Sequence, residues 1–237
     1  MKDKVKVWIE NNFLKLKVIR LLYDKTIVRY RLYKKHKDFI NYNTEILERL
    51  SDAFKELNLL YWLDFGTLLG AIREKRFIGH DLDIDIGVLG TFKEEERDRI
   101  LSILLKYGFK RKYYFEYNNI IREETYDYKG VPIDLFYYEK KDMNIIGYYF
   151  LSNMGESREK TIKKRGGLIP IQVTFPFSGV IEYKFLGITT YIPKNFKNYI
   201  ISRYGKNYTE KVVQWNNRTS PLNIKVLENE LGYYYKT

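Results

Sequence analysis

Residues 82–88 read Leu-Asp-Ile-Asp-Ile-Gly-Val, and their first five side chains alternate between apolar and acidic. Successive side chains of a β-strand point to opposite faces, so this alternation predicts a strand whose apolar face packs on the core. Asp83 and Asp85 would then emerge together on the other face. Adjacent carboxylates repel each other, and a hard divalent cation relieves the repulsion. An edge strand with a solvated polar face is the alternative, because Asp-x-Asp alone is a weak signal.

Two other features of the sequence extend this pattern. Gly66 and Thr67 follow a strand-like run, residues 59–65, and open a short helical stretch. A Gly-Thr turn at a helix N-terminus offers backbone N–H groups to phosphate, although it is also an ordinary turn. Asp134 repeats the apolar–acid–apolar pattern inside a second strand-like run, residues 131–138. A strand pairing beside residues 82–88 would bring Asp134 to the same cation.

The composition limits the kind of metal site and the kind of partner. The 237 residues include no cysteine and two histidines, so Cys-based zinc sites, thiolate catalysis and histidine-rich metal sites are excluded. A bound metal must therefore rest on carboxylates, which favours Mg²⁺ or Mn²⁺. The formal net charge of +12 favours a polyanionic partner: nucleic acid, an anionic membrane or a phosphorylated substrate.

The excess positive charge is concentrated at the N-terminus. Residues 1–38 contain twelve Lys/Arg and four Asp/Glu, and their apolar residues recur at helical spacing. A basic amphipathic helix is typical of a membrane-surface element, and packing on the domain or an oligomer contact is the alternative. Without a signal-peptide pattern or a sufficiently long apolar run, we expect a cytoplasmic protein, and association with the inner face of a membrane stays open. The predicted organisation is a basic helical extension (1–40), a catalytic domain (41–216) and a tail (217–237).

Periodicity and turn residues predict the remaining elements. We expect helices at residues 43–58, with Asn43 as the cap, at 91–108 and at 193–205. We expect a hairpin of residues 112–117 and 120–126 around Asn118-Asn119, and strands at 145–151 and 180–192. Residues 156–167 are predicted as a loop or short helix, and the last twenty residues as irregular or helical.

Longer strings resemble the LicD/fukutin branch of the nucleotidyltransferase superfamily. The most specific are Asp64-Phe-Gly-Thr-Leu-Leu-Gly-Ala-Ile-Arg73 and Phe77-Ile-Gly-His-Asp-Leu-Asp-Ile-Asp-Ile-Gly87. Phe185-Leu-Gly-Ile188, Tyr191-Ile-Pro-Lys-Asn195 and Arg203-Tyr-Gly-Lys-Asn-Tyr208 match less closely, and together the resemblance covers residues 43–216. One departure is Gly79-His80-Asp81-Leu82, where the family often has Trp-Asp-Asp or Pro-Trp-Asp, so that His80 has no family counterpart.

The resemblance implies an α+β nucleotidyltransferase fold, a mixed β-sheet flanked by helices. It also implies an enzyme that moves phosphocholine or an alditol phosphate from a CDP-linked donor to a hydroxyl of a cell-surface glycan or its lipid-linked precursor. Asp83, Asp85 and Asp134 would ligate Mg²⁺ or Mn²⁺, and Asp134 is a candidate acceptor of the hydroxyl proton. The Gly66 and Thr67 amides would hold phosphate, as would one of three nearby cations: Arg73, Lys75 and Arg76.

Two other functions remain open on the sequence. The same metal site would serve transfer of NMP from an NTP to a small molecule, with only the donor changed. A nucleic-acid-binding module would use the net charge of +12, but it needs a basic groove with stacking aromatics, whereas the charge lies mainly at the N-terminus. We therefore rank nucleic-acid binding last.

Overall fold

The computed structural model describes the backbone of residues 2–92, 94–212 and 214–237, and the side chains from Thr26 onward except those of residues 93–96 and 213. The described residues form five helices and eleven strands, which confirms the predicted mixed α+β class. The helices are α1 (Lys2–Leu57), α2 (Phe65–Arg73), α3 (Glu94–Lys106), α4 (Arg158–Arg165) and α5 (Phe196–Tyr204). The strands are β1 (Tyr61–Leu63), β2 (Ile84–Leu89), β3 (Lys110–Tyr117), β4 (Ile120–Tyr128), β5 (Val131–Lys141), β6 (Asn144–Leu151), β7 (Ile169–Pro176), β8 (Val180–Phe185), β9 (Ile188–Pro193), β10 (Ile224–Val226) and β11 (Tyr233–Lys236).

Nine of these strands form one curled sheet, in which β5 is the central strand. The main order is β10-β7-β6-β5-β4-β3-β11, and β2, which also pairs with β1, joins the sheet beside β5. Most pairings are antiparallel, but β2 and β5 are parallel. The first part of β5 pairs with β2 and β4, while its last residues, 139–141, pair with β6. Strands β8 and β9 form a separate two-stranded ribbon.

The predicted alternation along β2 and β5 places the apolar side chains in the core. Ile84 and Ile86 of β2 are fully buried, as are Ile133 and Leu135 of β5. The C-terminal half of α1 covers the sheet with fully or almost fully buried apolar side chains, among them Ile46, Leu50 and Phe54. Since alternate strand residues face opposite sides, this packing leaves the acidic residues of both strands on the other face.

Three predicted boundaries at the N-terminal end of the chain were wrong. A separate helix at residues 43–58 capped by Asn43 is replaced by the single helix α1, because residues 1–57 contain neither Gly nor Pro to interrupt it. Helix α2 begins at Phe65, so Gly66 and Thr67 lie within its first turn. Asp83 lies just before β2 rather than inside it.

Three strands were not predicted. Residues 169–176 form β7, and the last twenty residues, predicted as irregular or helical, contain both β10 and β11. Both C-terminal strands gain their structure from pairing with distant segments, β10 with β7 and β11 with β3.

The N-terminal segment is helical as predicted, as part of α1. The apolar stripe predicted along it lies mostly outside the described side chains, because these begin at Thr26. Among the described residues, no helix contains an 18-residue stretch that is apolar and uncharged enough to cross a bilayer.

Candidate active site

The register of the parallel strands brings the three predicted acids together. Asp85 of β2 lies directly opposite Asp134 of β5, and Asp83 stands two residues before Asp85 on the same face. All three carboxylates line one cavity of about 730 Å³. The convergence of the acids that the alternation predicted is therefore present in the structure, and their role as metal ligands remains a prediction.

Hydrogen bonds from neighbouring elements hold two of these carboxylates. The backbone N–H of Gly66 donates to Oδ2 of Asp85 at 3.1 Å, and the backbone N–H of Asp85 donates to Oγ1 of Thr67 at 3.0 Å. The Thr125 hydroxyl, on β4, donates to Oδ1 of Asp134 at 2.5 Å. The bonds from Gly66 and Thr125 each occupy one carboxylate oxygen, of Asp85 and Asp134 respectively. The second oxygen of each carboxylate remains a candidate ligand.

These contacts change the interpretation of the Gly-Thr turn. The Gly66 amide and the Thr67 hydroxyl both contact Asp85 and so position the strand that carries the acids. A Cβ built at Gly66 would lie 3.5 Å from Oδ2 of Asp85, an ordinary contact distance. A phosphate held by the Gly66 amide would have to share this donor, and such a contact remains a prediction.

The electrostatics of the cavity oppose full ionisation of the acids. Burial, followed by the charges of Asp83 and Asp134, raises the pKa of Asp85 well above its usual value. Burial also raises the pKa of Asp134 to about 7, with Asp83 adding to the shift, and raises the pKa of Asp83. Three carboxylates with raised pKa values are a donor set whose charge a bound cation would stabilise.

The donor set fits an ion that brings some of its own ligands. Among the described residues, no three His, Asp or Glu side chains are already arranged closely enough to enclose a metal. Mg²⁺ is commonly held by one or two carboxylates, with water and substrate phosphates as its other ligands. The carboxylates of Asp83, Asp85 and Asp134 therefore suit a hard cation that completes its shell with a phosphorylated substrate.

Of the three cations predicted to contact phosphate, only Arg73 lines the cavity with the acids. Arg73 donates to Glu74 at 2.8 Å and to the backbone carbonyl of Tyr208 at 3.4 Å. Helix α2 ends at Arg73, and Lys75 turns the chain away in a left-handed conformation (φ 55°), with its Nζ donating to the Tyr183 hydroxyl. The Arg76 side chain is 73% exposed. The structure thus does not bring Lys75 and Arg76 to the acids.

The segment that departs from the family pattern also borders the cavity. Asp81 accepts a hydrogen bond from the backbone N–H of Ile78 at 2.9 Å, which closes the turn before β2. Burial raises the pKa of Asp81 to about 6. His80 lines the cavity with an exposed side chain.

Sequence reasoning missed several cavity residues. Glu123 of β4 and Arg203 of α5 both line the cavity, as do Tyr149 and Tyr204. Strand alternation could have identified Glu123 in the sequence. It lies two residues before Thr125 on the same strand, so both side chains lie on the face of Asp134. Arg203 belonged to a string that carried only the family resemblance, and no local pattern placed α5 beside β7 and β9.

A buried network fixes the start of α2 behind the cavity. Asp64 is fully buried and accepts hydrogen bonds from the Phe65 N–H, the Tyr138 hydroxyl and the Tyr199 hydroxyl at 2.8, 2.6 and 2.9 Å. The indole N–H of Trp62 donates to the Tyr199 hydroxyl at 3.2 Å. Burial raises the pKa of Asp64, and these donors oppose the shift. The network ties α2, which carries Gly66, to β5 and α5.

Comparison with known proteins assigns this acid-lined domain to a family. The model of the family described as "LicD/FKTN/FKRP, nucleotidyltransferase domain" matches residues 58–195, more than half of the chain and the part that carries Asp83, Asp85 and Asp134. The chain belongs to the LicD/FKTN/FKRP family.

The relatives include proteins of animals and bacteria. The ribitol-5-phosphate transferases FKTN of Mus musculus and Homo sapiens are each 26% identical over 183 residues, which is 76% of this chain and 36% of the relative. An uncharacterised protein of Rickettsia typhi is 32% identical over 92 residues, 39% of this chain and 28% of that protein. The chain thus spans about a third of the length of the curated relatives it matches.

Proposed function

We propose that the chain is a metal-dependent transferase of a phosphorylated group. It would move phosphocholine or an alditol phosphate from a CDP-linked donor to a hydroxyl of a cell-surface glycan or its lipid-linked precursor. The observation that carries this proposal is the convergence of Asp83, Asp85 and Asp134 on one cavity in a member of this family. Relatives named as ribitol-5-phosphate transferases support the class of group transferred.

The cavity residues would bind the donor diphosphate and activate the acceptor. Asp83, Asp85 and Asp134 would hold Mg²⁺ or Mn²⁺, which supplies charge neutralisation to the diphosphate. Arg73, which lines the same cavity, would contact a phosphate. The acceptor hydroxyl would attack the phosphorus distal to cytidine, so that a new P–O bond forms and the bond to the departing CMP breaks. Asp134 is our candidate acceptor of the hydroxyl proton.

Donor identity distinguishes this proposal from transfer of NMP to a small molecule. We would measure the melting temperature of the chain with Mg²⁺ and CDP-choline, CDP-ribitol, CTP or ATP, because a ligand that binds only the folded state raises it. We expect selective stabilisation by a CDP-linked donor. Stabilisation by NTPs alone would contradict the proposed donor and favour the nucleotidyl-transfer alternative.

Matched variants link the donor to the acidic site. Asp83→Asn should abolish the donor-dependent rise in melting temperature while the protein stays folded. Asp142→Asn is the control, because Asp142 lies in the exposed turn between β5 and β6. Product formation from a labelled donor and a glycan acceptor should likewise be lost in Asp83→Asn and kept in Asp142→Asn.

The described part of α1 supports the proposed contact with an anionic membrane surface. Val28, Tyr30, Leu32, Tyr33 and Ile40 are each at least half exposed. Basic residues occupy the positions among them: Arg29, Arg31, Lys34, Lys35 and Lys37. Exposed aromatic and aliphatic groups among cations suit the interface of an anionic bilayer. The cytoplasmic location remains a prediction.

A further inference from the structure

Arg203 is a buried arginine with two nitrogen donors that are left unused. It lies in the last turn of α5, is 4% exposed and lines the cavity of the three acids. Its Nε and Nη1 atoms have no hydrogen-bond partner among the described residues. Burying unpaired donors of a charged group is unfavourable, so such donors in a cavity indicate a missing acceptor.

The neighbours of Arg203 attract its charge, and the hydroxyls of Tyr149 and Tyr204 interact with the guanidinium while leaving Nε and Nη1 without a hydrogen-bond partner. Asp64 and Arg203 stabilise each other's charged form electrostatically. The hydrogen bonds that Asp64 accepts come from the Phe65 N–H and from the hydroxyls of Tyr138 and Tyr199, and none comes from Arg203. Asp64 therefore helps to keep a cation at this position while the guanidinium N–H groups stay available.

Aromatic rings fix the orientation of the guanidinium. Its Cζ lies 4.3 Å from the centroid of Phe65, 5.6 Å from that of Tyr149 and 5.8 Å from that of Tyr204. A guanidinium that packs its face on rings keeps its N–H edge free for a planar, two-pronged contact. Carboxylate and phosphate are the groups that accept such a contact.

Two other buried arginines have ion-pair partners. Arg97 forms an ion pair with Glu124, and Arg122 with Glu139. Within the described part of the chain, Arg203 forms no ion pair at all. The cavity thus has an acidic wall, suited to a cation, and a separate arginine, suited to an anion. A diphosphate bound to a divalent cation offers both charges to these two groups.

We propose that Arg203 binds a phosphate of the donor diphosphate, in the cavity that Asp83, Asp85 and Asp134 also line. This inference rests on the proposed function, because it assumes a diphosphate-linked donor. Arg203 holds the diphosphate in place through paired N–H···O contacts, while the acids hold the cation. The guanidinium neutralises charge on the donor, including charge that passes to the leaving group.

The test compares Arg203→Lys with Arg122→Lys by calorimetric titration of CDP, cytidine and inorganic pyrophosphate in the presence of Mg²⁺. Arg122 is a matched control, because it is also 4% exposed and packs on an aromatic ring, but it does not line the cavity. We expect Arg203→Lys to weaken CDP binding about tenfold or more, since a lysine cannot make the two-pronged contact. Cytidine binding should not change, and Arg122→Lys should keep the wild-type affinity for CDP.

Unchanged CDP affinity in a folded Arg203→Lys protein would overturn the proposal and leave Arg203 a structural residue. If that variant does not fold, a crystal structure of the wild type with CDP and Mg²⁺ decides: a phosphate on the guanidinium supports the proposal, and a phosphate elsewhere overturns it. Arg203-dependent binding of pyrophosphate without binding of CDP would refute the CDP-linked donor but support the diphosphate site. Binding of neither probe by the wild type would overturn both.

Discussion

Asp85 and Asp134 lie side by side on the parallel strands β2 and β5, and each is held by a hydrogen bond from a different neighbouring element. The Gly66 amide at the start of α2 binds Asp85, and the Thr125 hydroxyl on β4 binds Asp134. Three strands (β2, β4 and β5) and one helix (α2) therefore together set the positions of the two carboxylates. A site built on such rigid elements suits a reaction that depends on placing charges accurately.

Metal-free protein should lose stability as the pH rises from about 4 to about 7. The pKa of Asp134 is raised from 3.8 to about 7, so the folded state binds this proton more tightly than the unfolded state does. By linkage, the free energy of unfolding falls through this window, by at most about 4 kcal/mol for a shift of this size. Urea unfolding across the pH range measures it.

Asp134→Asn should make that decline less steep, because the amide does not ionise and its oxygen still accepts from the Thr125 hydroxyl, while the other buried acids of the cavity still titrate. Mg²⁺ should restore stability to the wild type near pH 7 but not to the variant. A wild-type profile that rises over this window would contradict the pKa direction assigned to Asp134.

Thr125→Val should weaken binding of Mn²⁺, used as a probe for the proposed cation. The hydroxyl of Thr125 fixes the Asp134 carboxylate and lowers its pKa, and loss of such a supporting contact commonly costs tenfold or more in metal affinity. Thr125→Ser keeps the hydroxyl and is the matched control. Equal affinities of the Val and Ser variants in a calorimetric titration would show that the hydroxyl does not support a metal ligand.

Tyr199→Phe should destabilise the fold by about 1–3 kcal/mol, because a buried carboxylate loses a donor and a buried indole N–H loses its acceptor. The hydroxyl it removes binds both Asp64 and Trp62. Urea unfolding gives the change, and Tyr33→Phe, at a position that is 65% exposed, is the control. A Tyr199→Phe protein as stable as the control would show that the Asp64 network contributes little.

Replacing Arg29, Arg31 and Lys34 by Gln should reduce binding to anionic vesicles about tenfold or more, because each cation near such a surface contributes about 1 kcal/mol. The same change at Lys140 and Lys141, exposed at the end of β5, is the control. Sedimentation with phosphatidylserine vesicles at low and moderate salt measures the effect. Binding that is unchanged by the triple substitution would contradict the membrane contact.

Local patterns predicted the parts of the structure that local chemistry determines. Alternation placed the acids of β2 and β5 on one face, and Asn118 and Asn119, both with positive φ, form the predicted turn between β3 and β4. The expectation that the acids of these two strands meet was conditional on the strands pairing, which the register of β2 and β5 now shows. The Gly-Thr turn was found, but the contact of its amide with Asp85 depends on tertiary packing.

Several of the features that sequence reasoning missed depend on distant contacts. Strands β10 and β11 are stabilised by pairing with β7 and β3, and short segments show no strong period of their own. Arg203 reaches the cavity because α5 packs beside β7 and β9, which no local pattern encodes. Lys75 and Arg76 point away because α2 ends at Arg73, and nothing local in the sequence shows where the side chains after the end of a helix point.

Binding of Mn²⁺ in the presence of CDP, followed by electron paramagnetic resonance, tests the central claim most directly. We predict that wild-type protein binds Mn²⁺ and that Asp85→Asn, with its fold confirmed by circular dichroism, loses this binding, while Asp142→Asn keeps it. Equal Mn²⁺ binding by the wild type and the Asp85→Asn variant would contradict a metal site formed by these aspartates.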